Sequence, residues 1–177
     1  GKSRAEIDDL ESEFLKKKLS SEELVALEQY TSEGGERLNA ALRTGKLSMK
    51  QQNQVRLLDS AVAKGVIPRN TTLYRGVSIS DATFKRIGLG KVLREEGFLS
   101  VTTDRFQAVD FLEIARDDVG IPALFEIKVK AGAKGAFLSK ISRAPVGGYD
   151  PTGEKEVLFP RGTRMKILSV SGEKKTA

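Results

Sequence analysis

Two glutamates stand one residue apart in "GEKEVLFPRGT" (153–163): Glu154 and Glu156, just ahead of the apolar run Val157, Leu158, Phe159. Side chains of a strand alternate between its faces, so this spacing puts both carboxylates on one face at the mouth of a strand. Like charges side by side cost stability unless something uses or neutralises them. One use is glycoside hydrolysis, which needs two acids about 5–9 Å apart. Strand positions i and i+2 are about 6.6 Å apart, so the spacing permits it. Against it stands a chain with no Trp and three Tyr, which offers few aromatic platforms for a sugar. The plain alternative is a solvated strand end whose charges are offset by Lys155 and Arg161.

Two further stretches carry side chains suited to chemistry. In "LYRGV" Arg75 interrupts an apolar strand, where a guanidinium is costly unless it is paired or holds an anion. Gly76 beside it would let a ligand approach the backbone closely. In "FLSVTTD" Ser100 and Thr102 share one strand face and present two hydroxyls in a row. The plainer readings are an arginine paired with a carboxylate, and ordinary strand residues followed by a helix cap at Thr103 or Asp104.

The residue types that are missing narrow the chemistry. The chain has no His and no Cys. Imidazole acid–base catalysis, Ser-His-Asp triads, thiol nucleophiles, disulfides and Cys- or His-ligated metals are therefore all excluded. An enzyme built from this sequence has carboxylates, Lys, Arg and Tyr to titrate with. "GKS" at 1–3 follows no strand or glycine-rich turn, and "GLGK" at 88–91 lacks the spacing of a phosphate loop. Neither is a nucleotide-binding loop.

The elements that must position these residues are legible from periodicity. Length, 39% hydrophobic and 31% charged residues fit one globular domain over 1–177. Ile7, Leu10 and Phe14 form an apolar stripe at helical spacing. Ser20 with Glu23, and Ser48 with Gln51, are capping boxes that start two more helices, the latter ending at Gly65. Another helix is expected over about 33–42. After "VIPRN" the pattern turns to strands at 71–77, 97–103 and 123–130, then within "GAFLSKIS", "EVLFP" and "TRMKILSV". Short helices are expected near 80–87 and 104–116, and "VGGYDPTG" (146–153) reads as a loop leading to the glutamates. Helices first and strands later indicate an α+β protein, with a helical lobe over 1–66 and a mixed, mostly antiparallel β core over 67–177.

Charge divides along the same line. Residues 1–65 hold 11 basic and 11 acidic side chains, so the net +6 lies wholly in 66–177. A basic second half suits an anionic ligand, a nucleotide phosphate or nucleic acid, and equally a solubilising surface. No run of 18 apolar residues is present, so no membrane-spanning helix or membrane partner is expected. No signal-peptide core is visible, and the Gly1 start fits a domain excised from something longer.

In order and at this spacing, "LYRGV", "GFLSVTT" and "EKEVLFPRGT" resemble the Arg–Ser–Glu class of mono-ADP-ribosyltransferases. These include actin-modifying binary toxins, Rho-modifying exoenzymes, related insecticidal toxins and transferases injected by phages. "EQYTSEGGERLNAALRTG" and "LLDSAVAKGVIPRNTTLYRG" look like the family's helical lobe, and "ALFEIKVKAGAKGAFLSKIS" like strands leading to its acceptor-recognition loop. The resemblance covers about residues 20–170 and implies a two-sheet β core. It implies NAD as a consumed substrate, no separate cofactor and no metal. By the same resemblance Arg75 would contact the NAD phosphates, the Gly76 backbone would hold the nicotinamide carboxamide, and Ser100 would orient the catalytic Glu156. Thr102 would close the Ser-Thr-Ser strand, where Val101 replaces the family's Thr with a side chain expected to point away from the site. Glu154 and Tyr149 would recognise the acceptor, and a glutamate at 154 implies an arginine of a target protein. The setting implied is the cytoplasm of a target cell, reached by secretion, toxin delivery or phage injection. NAD hydrolysis, transfer to RNA or another nucleic acid, and a catalytically silent anion-binding module are the alternatives.

Overall fold

In a computed structural model of the chain, residues 1, 3–114, 120–141 and 155–170 are described. Four helices come first: α1 (Arg4–Lys18), α2 (Ser21–Gln29), α3 (Gly35–Thr44) and α4 (Met49–Ala63). Three of their starts are local chemistry. Ser3, Ser20 and Ser48 each accept from the backbone N–H three residues on, while Glu6, Glu23 and Gln51 reach back to the cap's own N–H. Between α2 and α3 the chain makes no loop. It passes through a π-helical turn, Tyr30–Gly34, and continues at once as α3, which therefore starts at Gly35.

The strands are β1 (Thr71–Ile79), β2 (Val92–Arg94), β3 (Leu99–Thr102), β4 (Ile121–Val129), β5 (Ala136–Phe137), β6 (Glu156–Phe159) and β7 (Arg164–Lys166). Two more helices intervene, α5 (Asp81–Arg86) and α6 (Arg105–Ile114). Five strands form one sheet in the order β4-β1-β3-β6-β5, and β2 pairs with β7 in a second sheet. Every pairing among the described residues is antiparallel. This is the α+β architecture that the helix-then-strand pattern implies. β1 and β4 pair over nine residues, whereas β1 meets β3 in register only at Tyr74 opposite Thr102.

Two apolar clusters hold these layers together. One joins the helices to the sheet through Leu27, Leu38, Leu58 and Val62 on one side and Phe98, Leu138 and Leu158 on the other. The second gathers Ile67, Leu73, Leu99, Val101, Val157 and Phe159. Leu99 and Val101 thus enter one cluster while Phe98 enters the other, as strand alternation requires. Among the described residues no helix is long and apolar enough to cross a membrane.

The structure corrects the reading of α1. Leu10 and Phe14 are exposed, at 44% and 59%, and the buried side carries Asp8, Ser12 and Leu15 instead. Ser12 tolerates burial because its hydroxyl oxygen accepts the N–H of Lys140 at 2.9 Å. A chain segment running past α1 supplies donors that a polar face can satisfy, which apolar periodicity cannot foresee.

Candidate active site

The site is assembled where β1, β3 and β6 come together. Ser100, in β3, donates its hydroxyl to Glu156 Oε1, and Glu156, the first residue of β6, is half-buried. β3 and β6 set this geometry, since Ser100 lies opposite Leu158 and Thr102 opposite Glu156 in the ladder. Arg75 reaches from β1 to donate through Nη1 to the Ser100 carbonyl at 2.8 Å. Two side chains, from positions 25 and 56 residues away, therefore converge on Ser100 of β3.

Burial presses the Arg75 guanidinium below its ordinary pKa, and the carboxylates of Glu95 and Glu156 and the Tyr30 phenol oppose this. An arginine remains charged under such a shift, so the site keeps a fixed cation. Glu95 is the next charge outward. Burial alone would raise its pKa, but Arg43 Nε at 3.1 Å and the Gly97 N–H at 2.9 Å both donate to its Oε1 and hold it below the usual carboxylate range. Arg43, Glu95 and Glu156 thus all act electrostatically on Arg75.

Tyr30, from the helical side, acts on the same charges. It is 6% exposed, within the π-helical turn, and its oxygen accepts from Asn39 Nδ2 at 3.0 Å. Burial, and after it the Glu156 charge, pushes the phenol up to about 12, so it stays protonated. Asn39 substitutes for a strand neighbour, since its Oδ1 accepts the Phe98 N–H at 2.8 Å and its Nδ2 reaches the Phe98 carbonyl at 3.2 Å. Gly97 is needed for this fit, because a Cβ there would stand 2.4 Å from Asn39 Oδ1. Tyr30, Asn39, Arg43 and Glu95 went unmarked in the sequence, and the interrupted helix at Tyr30 is a feature that often accompanies functional sites.

The remaining candidates have other surroundings. The Thr102 hydroxyl donates to Gln107 Oε1 at 2.8 Å and accepts the Asp104 N–H at 3.1 Å, so it organises the turn into α6. Gly76 makes room for a helix: a Cβ would lie 2.3 Å from the Ala108 carbonyl oxygen and 2.9 Å from Leu112 Cγ of α6. That packing is one reason for a glycine here. Val101 is in the second apolar cluster. Lys155 and Arg161 pair with Asp104 and Asp59. Glu154, Tyr149 and the rest of 142–154 lie outside the described residues. Cavities of about 120 and 420 Å³ are outlined elsewhere, and neither includes Arg75, Ser100 or Glu156.

A carboxylate held by a serine and flanked by a half-buried guanidinium can stabilise a developing cation while the guanidinium holds an anionic group of the same substrate. Comparison with known proteins agrees with that chemistry. Residues 9–177 match the family model described as ADP-ribosyltransferase exoenzyme. The Mycobacterium avium (strain 104) protein Mav, whose name proposes NAD(+)–arginine ADP-ribosyltransferase activity, is 28% identical over 158 residues, which is 89% of this chain. The chain spans 17% of the length of Mav. The structure of C3stau2 from Staphylococcus aureus with NAD has a TM-score of 0.70 at 22% identity, covering 98% of this chain and 91% of that one. The ADP-ribosyltransferase Vis, solved in complex with agmatine, has a TM-score of 0.70 at 21% identity, covering 98% of this chain and 82% of Vis. At such identities the two structures speak for the fold, and the family match spans nearly the whole sequence: the chain belongs to the ADP-ribosyltransferase exoenzyme family.

Proposed function

We propose that this chain, acting as one catalytic domain over 1–177, transfers ADP-ribose from NAD to an arginine side chain of a target protein and releases nicotinamide. The observation that carries the reading is the Ser100 hydroxyl on Glu156 beside half-buried Arg75. The C1′–N bond to nicotinamide breaks with its electron pair leaving on the nicotinamide nitrogen, and the ribose becomes an oxocarbenium-like cation. Glu156 stabilises that charge and accepts a hydrogen bond from the ribose 2′-hydroxyl, in an orientation that Ser100 fixes. Arg75 anchors the diphosphate and supplies positional order. The Gly76 backbone takes the carboxamide, and Thr102 keeps β3 in register with α6. An acceptor guanidine nitrogen then bonds to C1′ and loses its proton to Glu154, and Tyr149 helps to recognise the acceptor.

Arginine as acceptor is supported by the glutamate at 154, by the activity that the name of Mav proposes, and by the agmatine held by Vis, whose guanidinium resembles an arginine side chain. Incubation with NAD and agmatine tests it directly. The parent should form ADP-ribosyl-agmatine along with nicotinamide. Glu154→Gln should lose the agmatine product and keep part of the nicotinamide release. Nicotinamide without any guanidine adduct would overturn the acceptor assignment in favour of hydrolysis or of transfer to a nucleic acid. Equal loss of both products in Glu154→Gln would remove Glu154 from the acceptor role.

A further inference from the structure

We infer that Lys155 is a positioning residue for Glu156, acting through an ion pair with Asp104 that references the start of β6 to helix α6. The inference rests on the role proposed above for Glu156. Lys155 Nζ lies 2.9 Å from Asp104 Oδ2, with the two side chains 33% and 19% exposed. Asp104 is itself fixed. Its other oxygen accepts the Phe106 N–H at 2.9 Å in the first turn of α6, and its own N–H donates to Thr102 Oγ1 at 3.1 Å. Thr102 in turn donates to Gln107, also in α6. Asp104 therefore joins the end of β3 to the start of α6 and presents one carboxylate oxygen to Lys155.

α6 is an apt reference point because it also touches the strand of Arg75. It packs so closely on β1 that Gly76 admits no Cβ. Through Lys155 the strand of Glu156 is tied to the same helix. The main chain here is gripped from both edges: the Thr103 N–H donates to the Lys155 carbonyl at 3.1 Å, and the Leu138 N–H to the Glu156 carbonyl at 2.9 Å. Two such bonds fix where the strand begins but leave rotation about its axis as the soft freedom. Successive strand side chains leave from opposite faces, so an anchored Lys155 sets the direction in which Glu156 departs. A displacement of about 1 Å at a reacting group costs on the order of 100-fold in rate, so a modest twist matters. An ordinary surface ion pair at this place would contribute little to stability and nothing to the chemistry.

Steady-state nicotinamide release from NAD, without acceptor, separates the two, with thermal unfolding followed on the same samples. Lys155→Met and Asp104→Asn should each lower kcat about tenfold while KM for NAD stays within about twofold. Lys155→Arg should retain most of the rate. Adding Lys155→Met to Ser100→Ala should cost little beyond Ser100→Ala alone, because both changes act through the same carboxylate. An unchanged kcat, a KM that rises in step with the loss, or a full independent cost on top of Ser100→Ala would each overturn the inference. Should Lys155→Met fail to fold, Asp104→Asn decides, since it keeps an oxygen for the Phe106 N–H. A parent that releases no nicotinamide contradicts the proposed function and the inference with it. An active parent with unaffected variants contradicts the inference alone.

Discussion

Two glutamates of this protein take a serine hydroxyl, and their surroundings differ in what happens to the rest of the charge. Glu23, 3% exposed in the helical region, accepts from Ser60 Oγ and from its cap's Ser20 N–H, each at 2.8 Å, and from Lys64. Its charge is consumed by holding α2 to α4. Glu156 is half-buried and takes the Ser100 hydroxyl, while Arg75 acts on it as a nearby charge and donates its hydrogen bond to the Ser100 carbonyl instead. The first arrangement neutralises a carboxylate to stabilise the fold. The second aims a carboxylate and keeps a cation beside it, which is what stabilising a transient positive charge requires.

Substitution should separate the two regions by readout. The largest effect is expected at Glu156→Gln, where nicotinamide release falls by on the order of 1,000-fold and the unfolding temperature moves by only a few degrees. A variant that unfolds in place of losing activity would erase the distinction. Next comes Glu23→Gln, expected to cost roughly 2 kcal/mol in urea denaturation because the buried Glu23 carboxylate accepts from Ser60, the Ser20 N–H and half-exposed Lys64. Its activity at low temperature should match the parent. Acid sharpens the same contrast. Burial alone would raise the pKa of Glu23, but Lys64, Ser20 and Ser60 outweigh it and hold the folded value at about 2, below the ordinary 4.5. The unfolded chain therefore binds more protons in that interval. The contribution of Glu23 is complete above about 4.5 and is lost as pH falls toward about 2. The stability gap between parent and Glu23→Gln should close over that window. The smallest effect belongs to Arg161→Gln: its bidentate pair with Asp59 is some 40% exposed on the Arg161 side, and its loss should cost about 0.5 kcal/mol or less.

What the sequence revealed of this molecule was local. Capping boxes at Ser20 and Ser48 and the alternation of Leu99, Ser100, Val101 and Thr102 are set by near neighbours, and each appears in the structure where its pattern places it. Arg75 was marked as an arginine in an apolar strand, Ser100 as one of two hydroxyls on one strand face and Glu156 as one of two paired glutamates, and the resemblance to a known family gave them their roles. Tyr30, Asn39, Arg43 and Glu95 could not. Their partners lie across the fold, as with Asn39 and Phe98, 59 residues apart, or Arg43 and Glu95, 52 apart. α1 misled for the same reason, since Asp8 and Ser12 are buried against a segment more than 120 residues away. Gly76 was visible as a glycine in a strand, but the helix occupying its missing Cβ could be seen only in three dimensions.

The most direct test of the central claim is mass spectrometry of lysate proteins incubated with NAD and either the parent or Glu156→Gln. ADP-ribose is expected on arginine side chains with the parent and on none with the variant. Modification that persists in Glu156→Gln, or that falls on residues other than arginine, would contradict that claim.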